Sequence, residues 1–90
     1  MKHIKIPRFI DLGCNDKARV IAMPNGDNIL VSYVTPIAIA TRNNTVVRSL
    51  NDINTNTTWR HWGAFCRFIH RPDLIGADAF RKLERVEYSH

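Results

Sequence analysis

His61 is the side chain in this sequence best suited to moving a proton near neutral pH, because an unperturbed imidazole titrates there. It follows two hydroxyls in the block Thr57-Thr58-Trp59-Arg60-His61, and on a helix residues three and four apart are neighbours. A hydroxyl beside an imidazole is the beginning of a nucleophile-and-base pair. Such a pair needs a third group to orient the base, and no Asp or Glu stands at a readable spacing from His61. No nucleophile elbow, phosphate loop or metal-ligand pair accompanies it either. The same residues have a structural use: Asn56 or Thr57 caps a helix, and His61 hydrogen-bonds back to the preceding loop or to Tyr33. A second block, Ser32-Tyr33-Val34-Thr35-Pro36-Ile37-Ala38, adds a phenol and two hydroxyls. As one extended strand it would place Tyr33 and Thr35 on one face and Ser32 and Val34 on the other. The expectation is a structural polar cluster of Tyr33, Thr35, Thr57 and His61, with no catalytic residue.

The other concentration of chemistry is aromatic and basic. Trp59, Arg60, Trp62, Phe65, Arg67, Phe68, His70 and Arg71 follow one another closely. Trp62, Phe65, Cys66 and Ile69 recur at helical spacing and form a stripe expected in the core. Arg60, Arg67 and Arg71 fall on the other side, with Trp59 beside them. Trp and Arg dominate binding hot spots, so these four are the candidate partner-binding residues. The same arginines, with Lys2, Lys5 and Arg8, would also suit phosphates, with an exposed ring for a base to stack on.

Charge and cysteine usage narrow the classes. The formal net charge is +5, which permits an acidic protein face or nucleic acid as partner. There is no arginine-rich tract. Cys14 and Cys66 match no zinc or redox spacing, and are expected as free thiols in a reducing cytosol. His3 and His90 are isolated at the two ends, so neither a metal nor a cofactor is expected. No apolar run approaches the roughly 20 residues needed to span a bilayer, and the first residues lack the pattern of a secretory signal. A cytoplasmic protein with no membrane contact is the expectation, its oligomeric state open.

These residues must be positioned by one domain of 90 residues. Ile4 and Ile6 alternate with polar residues as a first strand, with Pro7 at its end. Lys17 to Met23 alternates cleanly, and Asn25-Gly26 predicts a type I′ hairpin into a third strand from Asn28 to Val34. Pro36 predicts a bulge or bend before the strand resumes at Ile37. Arg42-Asn43-Asn44-Thr45 reads as another tight turn, and Val46 to Leu50 as the last strand. A helix then runs from Thr57 or so to Pro72, which stops it. Gly76 to Tyr88 reads as a second helix. The fold class is α+β: an antiparallel β-meander of four to five strands, with partial closure into a small barrel as an option, packed by two C-terminal helices.

The two quoted blocks also resemble a family of small, uncharacterised bacteriophage proteins with Ser-Tyr-x-Thr-Pro-x-Ala followed by Thr-Thr-x-x-His. The matching positions are Ser32, Tyr33, Thr35, Pro36, Ala38, Thr57, Thr58 and His61. The chain departs from the pattern in carrying Trp59 and Trp62 around the histidine. The resemblance implies a phage accessory protein that binds a host protein and inhibits or redirects it, and it implies no reaction.

Overall fold

Ala18, Val20 and Ala22 alternate with Arg19, Ile21 and Met23, so a strand here has one small apolar face to bury. It pairs on both sides. The structure, a computed structural model, describes residues 6–13 and 17–87. Five strands form one antiparallel sheet in the order β1-β2-β3-β4-β5: Arg8–Asp11, Ala18–Ala22, Asn28–Ser32, Thr35–Ala40 and Val46–Arg48. The sheet is open, because β1 and β5 are both edges. Helix α1, Asn56–Phe68, and helix α2, Ala77–Lys82, follow, with a 3₁₀ turn at Pro72–Leu74 between them. The α+β meander is as expected, without barrel closure.

The hairpin turns follow residue chemistry closely. Between β2 and β3, Gly26 N donates to Met23 O and Met23 N donates to Asp27 O, and Gly26 alone takes positive φ, +97°. This is a three-residue loop with a type I turn and a left-handed glycine, not the type I′ turn expected from Asn25-Gly26. Pro24 accounts for the difference: before a two-residue Asn25-Gly26 turn it would have to donate an N–H that it lacks, whereas its φ, locked near −65°, suits the first central position of a type I turn. The β4–β5 turn repeats the design, with Asn44 at φ +66° in the glycine's place. Asn44 N donates to Thr41 O and Thr41 N to Thr45 O. The two turns are tied together where Arg42 N donates to Asp27 Oδ1 at 3.0 Å.

Between β3 and β4 the chain reverses in two residues, Tyr33 and Val34, with Tyr33 at φ +56°. Tyr33 therefore leaves the strand and does not share a strand face with Thr35. The register shifts between Leu30 and Val31, which pair with Ala38 and Pro36 respectively. Ile37 is the extra residue, so the bulge expected at Pro36 is present. Strand β1 lies after Pro7, since proline cannot donate to the ladder. Lys2, His3, Ile4, Lys5, Cys14 and His90 lie outside the described residues.

Helix α1 is capped by Thr55, whose Oγ1 accepts from Thr58 N at 3.2 Å, one residue before the expected Asn56 or Thr57. It ends where His70 takes φ +59°. There His70 N donates to Arg67 O and Arg71 N to Cys66 O, the paired bonds of a Schellman termination. Trp62, Phe65, Cys66 and Ile69 are buried with Val20, Leu30, Ala38, Ala40 and Val46, so the expected stripe is the core. The Trp62 ring meets Phe80 of α2 edge-on at 5.0 Å between centroids, and its Nε1 donates to Leu74 O at 2.9 Å. Burial, aided by the charge of Asp73, pushes the Cys66 thiol up to about 12, so at neutral pH it is a packing residue and not a nucleophile.

Helix α2 is much shorter than the expected Gly76–Tyr88. After Leu83 the chain turns extended and lies along β5, where Arg48 N donates to Glu84 O and Val86 N to Arg48 O. The open edge of β5 offers backbone hydrogen bonds that a further helical turn would leave unmade. Arg48 locks the join, its guanidinium donating to the carbonyls of Leu83, Leu50, Asn51 and Arg81.

Candidate functional site

Helix α1 has two working sides besides its core stripe. One carries His61 toward the β3–β4 reversal. His61 Nδ1 lies 2.7 Å from Ser32 Oγ, and both side chains are 2% exposed. Ser32 shares strand parity with Leu30, so the pleat turns its hydroxyl inward beneath the helix. Ser32 Oγ is 3.4 Å from Thr58 Oγ1, which accepts from Thr55 Oγ1 at 2.8 Å. The hydroxyls can therefore donate onward in one direction, Thr55 to Thr58 to Ser32, ending on the lone pair of a neutral imidazole. Burial lowers the His61 pKa, which keeps that imidazole neutral. The Tyr33 ring sits 5.7 Å from the imidazole.

Of the expected polar cluster, Tyr33 and His61 are together. Thr57 and Thr35 are exposed, and neither contributes a side-chain hydrogen bond to it. Thr58 and Ser32 take their places. The parity of Ser32 with Asn28 and Leu30 was the signal for this in the sequence, masked by reading the strand through Tyr33. Ser32 and His61 have the separation of a nucleophile and its base, yet they are sealed beneath the helix, and no carboxylate among the described residues orients the imidazole. A substrate carbonyl has no line of approach. What the arrangement does chemically is pin α1 to the sheet.

The second side of α1 is open. A groove of about 770 Å³ is lined by Asn56, Trp59, Arg60, Gly63, Ala64 and Arg67 along the helix, with Leu12 and Ile75 as its banks. Asn56, Arg60, Gly63 and Arg67 recur at spacings of four, three and four, one helical face. Arg60 and Arg67 form no ion pair with any described carboxylate. The other arginines near α1 are occupied. Arg71 lies beyond the helix end, where it grips both oxygens of Asp73 and donates to Asn44 O. That bidentate bond lowers the Asp73 carboxyl and raises Arg71. Arg81 makes the same kind of pair with Asp52. Of the four expected contact residues, Trp59, Arg60 and Arg67 thus line one groove and Arg71 is tied down elsewhere. Arg8 lies in a separate hollow with Met23 and Asn28.

Gly63 is the floor of this groove. A Cβ built there would meet nothing nearer than Arg67 Nη1, at 3.8 Å, so no packed neighbour demands glycine. Glycine inside a helix costs about 0.5–1 kcal/mol relative to alanine. Gly63→Ala is therefore expected to raise stability by about that amount in denaturant titrations, while its methyl group narrows the groove.

Among the described residues no three His, Cys, Asp or Glu side chains converge as a metal site, and no helix is long and apolar enough to cross a membrane. The match to known proteins is at the level of family: a family of unknown function, DUF8033, whose model covers residues 14–89. The chain belongs to that family. No curated protein and no solved structure matches it. Residues 14–89 take in the hairpins, the pinned Ser32–His61 pair, all of α1 and α2; β1 and Leu12, one bank of the groove, lie before them.

Proposed function

We propose that the protein is a non-enzymatic phage accessory protein that acts in the host cytoplasm by binding a host protein through the α1 groove, blocking or redirecting it. The observation that carries this reading is the pair Arg60 and Arg67, two cations with no ion-pair partner among the described residues, on one helix face astride a glycine floor and beside Trp59. Guanidinium groups left unpaired in a groove are suited to carboxylates supplied from outside. Trp59 adds the kind of ring that anchors protein interfaces. An acidic segment, strand or helix edge, is the partner chemistry this groove favours.

Nucleic acid is the competing partner, and the groove supports it less well. Two arginines neutralise two phosphates, so affinity would fall only about 12-fold between 50 and 200 mM salt. That is a small electrostatic contribution for a binder of duplex or single strands. The test is affinity capture of tagged protein from host lysate, with and without nuclease, read by mass spectrometry. One host protein retained in stoichiometric amount after nuclease supports the reading. Enrichment that vanishes with nuclease overturns it in favour of nucleic acid.

A further inference from the structure

We propose that two copies of this chain pair face to face through the side of the sheet that the helices do not cover. Register places Phe9 opposite Ile21, Ile21 opposite Ile29, Ile29 opposite Ile39, and Ile39 opposite Val47. These five side chains make an unbroken apolar row across every strand. They have the opposite strand parity to Val20, Leu30, Ala38 and Val46, which face the helices. None of the five belongs to the core cluster or to the residues packed against it. Phe9 is 71% exposed and the other four are partly exposed. An antiparallel sheet with one solvated face normally alternates apolar and polar residues. An apolar row of this extent on the open face marks an interaction surface.

Three features favour a second copy as the occupant. The row is self-complementary: a two-fold axis lying in the interface and passing over Ile29 lays row on row, and twisted sheets pack this way at about 30°. The charge on the face suits it too. The chain carries +5, but the charged side chains that share this parity at the ends of the face are Asp11, Lys17, Arg19 and Asp27, which sum to zero, so the copies meet without the repulsion of the basic excess. The area suits a weak pair. Strands of four, five, five, six and three residues, at about 3.3 Å per residue and about 4.8 Å apart, present roughly 360 Å² in projection, and more over the corrugated side chains. Two such faces approach the roughly 1,000 Å² at which specific interfaces begin, so a weak dimer is expected. This pairing uses the side of the sheet opposite α1 and stands apart from the groove reading.

Sedimentation equilibrium of the full chain from about 1 µM to 1 mM tests it, a range that brackets a weak dimer. The expected mass rises from 10.4 kDa toward twice that value. Ile29→Lys at the centre is expected to weaken association at least 30-fold with an unchanged circular-dichroism spectrum. Phe9→Glu changes a side chain already exposed, keeps the fold if Ile29→Lys does not, and is expected to weaken association at least fivefold. A mass of 10.4 kDa throughout, or a dimer untouched by Phe9→Glu, overturns the proposal. So does a monomer that uses Phe9 to bind phospholipid vesicles or a different protein.

Discussion

Trp62→Ala is expected to be the most destabilising single change in the domain, at about 3–5 kcal/mol. Trp62 is the largest fully buried side chain and joins α1, the 3₁₀ turn and α2. Its ring lies against Phe65 within α1 and Phe80 of α2, and its Nε1 donates to Leu74 O in the 3₁₀ turn. Truncation removes the ring, leaves a cavity and orphans a buried carbonyl. Large aromatic deletions of this kind cost about 3–5 kcal/mol, against a total of about 5–15 kcal/mol for a domain of ordinary stability. At about 4–8 °C per kcal/mol for a domain of this size, the midpoint of thermal unfolding should fall by roughly 12–40 °C. Trp62→Phe keeps an aromatic ring but loses the Nε1 bond and part of the indole volume, so a smaller loss of about 1–3 kcal/mol is expected. Calorimetry of the two variants checks both values.

His61→Ala is expected to be the next most damaging change, at about 2–4 kcal/mol. It removes a fully buried ring and leaves Ser32 Oγ beneath the helix without its imidazole, and an orphaned buried polar group alone costs about 1–3 kcal/mol. Ser32→Ala removes only a hydroxyl and is expected to cost less. Because the two groups share one bond, their effects should not add, and a double-mutant cycle should show a coupling of about 0.5–1.5 kcal/mol. Stability should also depend on pH in one direction. The folded-state pKa of His61 lies below its ordinary 6.5, so below about pH 6.5 the unfolded chain takes up a proton that the folded chain refuses. Stability is then complete above pH 6.5 and falls as pH drops through the window between the folded and unfolded values, by at most about 1.4 kcal/mol per pH unit from this group. Protonation also forces a hydrogen onto Nδ1, where Ser32 donates, so the hydroxyl chain must reverse. In His61→Ala that part of the pH dependence should disappear.

Much of this was legible in the sequence, for reasons that are local. The alternation from Ala18 to Met23 assigned strand faces correctly, because side-chain direction in a strand depends only on parity. The spacing of Trp62, Phe65, Cys66 and Ile69 assigned the buried side of α1 for the equivalent helical reason. The Asn-rich turn at 42–45 and the bulge at Pro36 follow from backbone freedom and a missing donor. What sequence reading missed depends on distant partners. Ser32 and His61 are 29 positions apart, and no local pattern says which hydroxyl will meet the imidazole. Thr55, Asn56 and Thr57 are all good caps, and only the direction of the incoming chain selects Thr55. The last residues of the expected second helix are drawn to the unpaired edge of β5, which pattern matching along the chain does not see. Arg71 left the arginine face because the Schellman reversal at His70 carries it toward Asn44 and Asp73. Gly63, the floor of the groove, was visible as a glycine in a helix, but its meaning depended on finding no neighbour over it.

Arg60 and Arg67 in the α1 groove are proposed to hold the partner. The most direct test is a binding isotherm, by calorimetry, for the host protein captured by the wild-type chain, measured with wild type and with Arg60→Glu/Arg67→Glu. Both side chains are exposed, so the fold should be intact and the unfolding midpoint nearly unchanged. Two charge-assisted contacts are worth about 1.5–3 kcal/mol each, so at least a 100-fold loss of affinity is expected. An affinity within twofold of wild type would contradict it and move the binding surface off this helix.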